Sequence, residues 1–318
     1  MRTFCTIITS NYFPYAVALY KSINSFNKGE SLLVLTVDDA DKLPDTTKYP
    51  GISFISSKDI CFEKNAVSIF TKYVGNDSDA LRWALKPILI SYLLKKGYSK
   101  VIYTDCDIFF FNNYNFLFDE LDKYGIILTP GHTTRNPAEH ENEFLSRFQY
   151  GQFNAGFIGS SIKSLPALNW WAECCAYKID TNFEKGLFVD QKYLDAMPVL
   201  FDFVGIVRHY GCNIAFWNQH ECKRVSSNNQ TLINGTFPII FIHFTNKYIP
   251  ELMNGNDHKI LPYFLQYKKV FEESGTLMKV FINDIPNYKE PHVFLKIKRK
   301  LLIRTRIKRF LFRLSQKM

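Results

Sequence analysis

The succession of hydrophobic runs along this chain predicts an α/β fold, a mostly parallel sheet with helices on both faces. Three observations carry that expectation. Short β-like runs (Phe4–Thr9, Leu32–Val37, Ile52–Ser56, Lys100–Thr104) are separated by segments with helical spacing. Strands that alternate with helices pack as parallel crossover units. No internal repeat or low-complexity linker interrupts the first 290 residues, and 318 residues suffice for one sizeable core or two smaller ones.

The elements follow in order. Phe4–Thr9 reads as the first strand, followed by a loop over Ser10–Pro14 and a helix running to about Phe26. Leu32–Val37 is a second strand that ends at Asp38 and Asp39, and Ile52–Ser56 is a third. Residues 79–96 read as a helix from the apolar positions 81, 84, 85, 88 and 89, closed by Gly97. Pro87 predicts a kink or break within it, because proline lacks the backbone donor and clashes with the preceding turn. Lys100–Thr104 is a buried strand with Asp105 and Asp107 at its end. Strands near 125–129, 154–159 and 238–243 alternate with helices near 164–176 and 188–196. Trp170 and Trp171 are expected to pack the first of those helices into the core, and Asp190 to cap the second.

Composition narrows the function classes. The chain is 47% apolar and 22% charged, ordinary for a globular enzyme. The aromatic share of 16% suits both a core and a surface that stacks sugars or bases. No uninterrupted apolar run reaches membrane-spanning length, and the N-terminal residues lack the features of a secretory signal. The seven cysteines are scattered, odd in number and never spaced C-x-x-C, which predicts free thiols in a reducing compartment and no zinc cluster. The net charge of +9 is uneven: residues 291–318 hold ten Lys or Arg and no acid, leaving 29 basic against 30 acidic residues in the body. A nucleic-acid binder places its basic residues on a folded surface, so no nucleic-acid partner is expected.

The chemically informative segment is Lys100-Val-Ile-Tyr-Thr104-Asp105-Cys-Asp107-Ile-Phe-Phe-Phe-Asn112. An apolar strand delivers two acids to the carboxyl end of a sheet, where open α/β sheets bind their ligands. Residues i and i+2 of an extended strand point the same way, so both carboxylates face one site. Clustered carboxylates suit a hard divalent cation such as Mg²⁺ or Mn²⁺, with substrate phosphates filling the remaining positions.

Together with Ala84-Leu-Lys86-Pro87, this segment resembles the GT-A glycosyltransferases, and more narrowly the family 8-like nucleotide-sugar transferases. Phe153-Asn154-Ala155-Gly156-Phe-Ile158 resembles that group's N-x-G strand, Val189-Asp190-Gln191 its D-Q motif, and Ile240-Phe-Ile-His243-Phe244 its late histidine segment. The resemblance spans residues 4–247 and implies a Rossmann-like GT-A sheet with roles for individual residues. Asp105, Asp107 and His243 would hold Mn²⁺ or Mg²⁺ on the donor diphosphate. Thr9, Asn11 and Tyr12 would meet the nucleotide base, Tyr12 by stacking. Lys86, Thr104, Asn154 and Gly156 would line the donor, and Asp190 with Gln191 would stand around the anomeric carbon as the catalytic pair. The group typically carries an aspartate where Thr9 stands, and a Gly followed by a diphosphate-binding Lys after the histidine, whereas Asn246 and Lys247 follow here at shorter spacing. Trp217 and His220 lie late enough to shape an acceptor pocket.

From Ile303 onward, Ile307, Phe310, Leu311 and Leu314 fall on one helical face, with Arg304, Arg306, Lys308, Arg309, Arg313 and Lys317 on the others. Basic amphipathic helices of this kind lie in the headgroup region of anionic membranes. The expectation is a catalytic domain over 1–290 and a membrane-binding tail over 291–318, peripheral at the cytoplasmic face of a membrane. It would transfer sugar from a UDP-linked donor to a hydroxyl of a glycan or lipid-linked glycan, with retention of configuration. Two rivals are a sugar-phosphate nucleotidyltransferase and an inactive membrane-binding module. The first would open with a Gly-rich basic loop, where this chain has Ser10-Asn-Tyr-Phe-Pro14, and the second has no need of Asp105 and Asp107.

Overall fold

The computed structural model describes residues 1–38, 47–227 and 230–278. Its compact body runs from Met1 to Thr276. The tail over 291–318 lies outside the described residues.

The first part of the chain builds one side of the sheet: β1 (Arg2–Ile8), α1 (Phe13–Asn24), β2 (Leu32–Thr36) and β3 (Ile52–Ser56). Every residue of β2 is buried, as in a strand covered on both faces. Pro14 sits in the first turn of α1, where its fixed φ and missing donor are harmless. Helices α2 (Ser57–Ile60), α3 (Ala66–Tyr73), α4 (Ser78–Ala84) and α5 (Lys86–Lys95) then cover one face. The helix expected over 79–96 is two helices meeting at Leu85, which places Pro87 within the first turn of α5 and removes its clash. Gly97 follows with φ of 97°, a left-handed turn open to glycine.

After β4 (Lys100–Thr104) and β5 (Ile108–Phe110) come α6 (Asn115–Lys123), β6 (Ile126–Pro130), α7 (Glu141–Tyr150) and β7 (Phe153–Ser161). Next are α8 (Leu165–Tyr177), the short pair β8 (Thr181–Asn182) and β9 (Leu187–Phe188), α9 (Met197–Leu200) and β10 (Val204–Ile206). The helix expected near 188–196 is instead a run of 3₁₀ turns over Gln191–Ala196 that leads into α9. Asp190 precedes it without capping it through its side chain, because that carboxylate is committed elsewhere. The last segments are β11 (Arg224–Ser227), β12 (Gln230–Ile233), β13 (Phe237–Pro238), β14 (Phe241–His243), α10 (Tyr248–Met253) and α11 (Leu261–Glu272).

The main sheet has seven strands in the order β10-β6-β7-β4-β1-β2-β3. β7 runs antiparallel to both its neighbours, and the other pairings are parallel. One core cluster packs α3, α4, α5 and α8 against the sheet, with Trp171 fully buried and Trp170 partly so. A second packing region is aromatic: Phe4 meets Phe110, Tyr114 and Phe118 edge-on, with centroids 5.0–5.6 Å apart. Such pairs add roughly 0.5–1.5 kcal/mol each beyond their buried area. All seven cysteines are free thiols. No helix among the described residues is long and apolar enough to cross a membrane.

Candidate metal centre and cavity

The acid pair leaves the sheet where β4 ends. Thr104 pairs with Phe157 of β7, and the Asp105 amide donates to the Gly156 carbonyl at 2.8 Å, which fixes the turn that carries both acids. β5 begins at once, and β14 pairs with it antiparallel, His243 opposite Ile108. His243 therefore reaches the acids through the strand that follows them. β14 does not pair with β4, both of whose edges are occupied by β1 and β7.

Asp105, Asp107 and His243 each offer a ligand atom, and these atoms lie within 4.8 Å of one another. His243 Nε2 stands 3.0 Å from Asp107 Oδ1 and 3.9 Å from Asp105 Oδ2. Asp107 Oδ1 is nevertheless buried without an aligned hydrogen bond, as is His243 Nδ1. Polar atoms gathered this closely without satisfying one another fit a cation between them. Gly156 gives a second sign. A Cβ built there would lie 2.6 Å from His243 Cε1, 2.8 Å from Asn154 Oδ1 and 3.0 Å from Asp105 Oδ2, so the cradle depends on glycine. Burial opposes a charge on His243, but Asp107 and then Asp105 outweigh it and hold the imidazole above its ordinary pKa.

Behind this cluster lies Lys86, 3% exposed, at the start of α5. Its Nζ is 3.4 Å from Asp105 Oδ1 and 3.2 Å from Asp190 Oδ2, and it donates to the Ala155 carbonyl at 3.1 Å. Burial works against the ammonium, yet the two carboxylates keep its pKa above the lysine value. Asp105 is likewise held low: burial opposes its charge, but Lys86, His243 and the Tyr103 hydroxyl, donating at 2.7 Å, prevail. For Asp190, 1% exposed, burial wins despite Lys86, and its pKa rises to about 6. Trp171 Nε1 donates to the Asp190 carbonyl at 3.0 Å and ties that backbone to α8.

A cavity of about 900 Å³ opens over the acids. Its wall includes Tyr12, Arg82, Trp83, Tyr103, Asp105 and Asp107 on one side. Asn154, Gln191, Trp217, His220, His243 and Lys247 also line it. Among the residues singled out by sequence, Tyr12 carries the Arg82 guanidinium 4.9 Å from its ring centre. Thr9 Oγ1 is 2.5 Å from Asn11 Oδ1, and neither residue lines the cavity. Ser10, between them, is held by Asp38 through its amide and hydroxyl. Thr104 is wholly buried with an unpaired hydroxyl, and Asp190 and Lys86 also stand behind the wall. Gln191 is fixed by its neighbours: Oε1 accepts from Asn154 Nδ2 and the Ala155 amide, both at 3.1 Å, and Nε2 donates to the Tyr150 carbonyl.

Sequence reasoning passed over Arg82, Trp83, Tyr103 and Glu143. Tyr103 carried a signal, since period-two alternation puts it on the same face as Asp105. Glu143 carried none, for its side-chain partner His220 lies 77 residues along the chain.

No known family profile matches the chain. It is 25% identical over 247 residues to the uncharacterized protein YfnF of Bacillus subtilis (strain 168), covering 76% of this chain and 80% of that one. It is 29% identical over 174 residues to the uncharacterized YfnD of the same organism, covering 51% and 52%. Among solved structures, the galactosyltransferase LgtC in complex with donor and acceptor sugar analogs superposes with a TM-score of 0.52 at 15% identity, over 90% of this chain and 98% of that one. The seven-stranded sheet, its flanking helices and that superposition give this chain the GT-A glycosyltransferase fold.

Proposed function

We propose that the protein is a divalent-metal-dependent glycosyltransferase that moves a sugar from a UDP-linked donor to a hydroxyl of a glycan or lipid-linked glycan. The observation that carries this reading is the convergence of Asp105, Asp107 and His243, distant in sequence, at the floor of a large cavity in a GT-A fold.

Asp105, Asp107 and His243 would hold Mn²⁺ or Mg²⁺. Bound there, the ion neutralises charge developing on a nucleoside diphosphate leaving group. The chain's own residues prepare the site. Tyr103 and Lys86 occupy Asp105 Oδ1 and leave Oδ2 toward His243. Lys86 also offsets the excess negative charge of Asp105 and Asp190 before any ligand arrives. Tyr12, stacked under Arg82, offers a platform for a base, and Lys247 brings a cation to the rim. Transfer breaks the bond from the anomeric carbon to the diphosphate oxygen and forms one to the acceptor oxygen, whose proton passes to the diphosphate. Gln191 and Asn154, locked together on the wall, border the space for the reacting sugar. Asp190 acts from behind as their electrostatic support, and configuration is retained. The basic segment 291–318 would hold the enzyme on an anionic cytoplasmic membrane surface, where a lipid-linked acceptor resides.

The test is a panel of nucleotide sugars incubated with Mn²⁺ or with EDTA, reading released diphosphate. Metal-dependent release from a UDP-sugar supports the reading. Formation of a nucleotide sugar from nucleoside triphosphate and sugar phosphate would replace it.

A further inference from the structure

A second polar constellation lies on the same cavity wall and takes no part in the chemistry above. Glu143, in the first turn of α7, and His220, after the turn at 216–218, both line the cavity. Glu143 is bound at both oxygens: Oε1 accepts from the Thr134 amide at 2.9 Å, and Oε2 pairs closely with His220 Nδ1. His140 lies flat against the His220 ring, centroids 3.6 Å apart. Surface imidazoles seldom receive so much support, since ordering an exposed side chain gains little by itself. In the neutral ring, a carboxylate against Nδ1 favours the tautomer that carries its proton there and leaves the lone pair on Nε2. Among the described residues Nε2 has no hydrogen-bond partner.

Trp217 links this dyad to the metal cluster. Its Nε1 donates to the Gly131 carbonyl at 3.0 Å, which fixes the indole, and its ring meets His243 edge-on with centroids 5.6 Å apart. Of the cations near the dyad in sequence, Arg135 is paired with Glu221 and Arg147 donates to the Thr133 and Thr134 carbonyls, and neither lines the cavity. This part of the wall therefore offers an apolar plate and a hydrogen-bond acceptor, and no Lys or Arg adjacent in sequence to Glu143 or His220 lines it.

We propose that Trp217, His220 and Glu143 form the acceptor subsite, taking a pyranose whose apolar face rests on Trp217 and whose hydroxyl donates to His220 Nε2. Glu143 is a positioning residue that sets the tautomer. The proposal rests on the glycosyl-transfer reading and adds an uncharged sugar as acceptor.

The experiment separates the two. Octyl pyranosides of several configurations are titrated onto the full chain with Mg²⁺ and UDP, followed by saturation-transfer NMR, while calorimetry measures UDP affinity. Glu143→Gln keeps the Thr134 contact but presents an amide donor to His220, which moves the ring proton to Nε2 and turns the acceptor atom into a donor. His220→Phe keeps the ring against His140 and removes the nitrogen, at a half-exposed position that tolerates the change. The parent is expected to bind at least one pyranoside, and both variants to weaken it about tenfold or more at unchanged UDP affinity. Pyranoside binding equal to the parent in either folded variant overturns the subsite, as does a parent that binds UDP but no pyranoside. Loss of metal-dependent UDP binding in the parent would instead overturn the transfer reading.

Discussion

A methyl group at position 156 would stand 2.6 Å from the imidazole of His243 and 3.0 Å from Asp105 Oδ2, closer than packed atoms approach. Gly156→Ala is expected to push those two side chains apart and, on the proposed metal site, to weaken metal-dependent UDP binding by an order of magnitude or more, at about 1–3 kcal/mol in stability. Calorimetry and thermal melting check both numbers. Asp107→Ala removes one of the three proposed ligands from the partly exposed turn between β4 and β5, so metal-dependent binding should vanish while stability changes by no more than about 1 kcal/mol. Retained Mn²⁺ dependence in that variant would return Asp107 to the status of a turn residue. His132 makes a pH-dependent prediction away from the proposed metal site. It stacks on Tyr210 with Nε2 buried and unpaired, and burial lowers its pKa to about 4. The unfolded chain therefore binds a proton that the folded one refuses between about pH 6.5 and 4. Stability from this group is complete above about pH 6.5 and falls by up to about 3 kcal/mol as the solution is acidified through that window. His132→Asn, which accepts the same positive φ of 50° without titrating, should flatten the urea-midpoint profile there.

At the scale of elements, the turn that carries Trp217 and His220 is held from beneath. The buried Arg224 donates to the carbonyls of Ala215, Asn218 and Cys222, and its Nε lies 3.0 Å from Asp257 Oδ2. Arg224→Ala leaves Asp257 buried with only the Tyr248 hydroxyl and removes the guanidinium donor from three carbonyls. The expected loss is about 3–5 kcal/mol in urea melts, and the 215–222 turn should become the first site of limited proteolysis. Two strands were legible in the sequence because apolar runs with sharp ends admit little else: Ile52–Ser56 and Lys100–Thr104, the latter leading to the acid pair, occur with the expected bounds. Pro87 announced a break, and the chain breaks two residues earlier, at Leu85. The pairing of β14 with β5 was not legible, since strand partners far apart in sequence are chosen by packing and leave no local mark. For the same reason nothing in the local sequence marks the Lys86 side chain as buried. Only the fold shows it buried between Asp105 and Asp190, which no periodicity encodes.

For the whole molecule, the charge divides between a nearly neutral body and a basic C-terminal segment. Removing residues 291–318 is expected to abolish co-sedimentation with anionic vesicles while leaving metal-dependent UDP binding intact. Raising salt to about 0.5 M should mimic the deletion, because screening shortens the reach of the attraction to a few ångströms. Undiminished sedimentation of the truncated chain would assign the basic segment to another role. The arrangement of the sheet also governs the order in which the protein is completed during synthesis. β4 lies between β1 and β7, yet some fifty residues separate it in sequence from the strand that covers its second edge. A ribosome that has released residues 1–130 has therefore made a half-sheet with an unpaired, apolar border. Such borders invite pairing with other chains. The two acids stand ready at that border, but Gly156 and His243 arrive later, so the nascent chain should be sticky before it can hold a metal. Chaperone demand would then peak in that interval and end when β7 closes the gap.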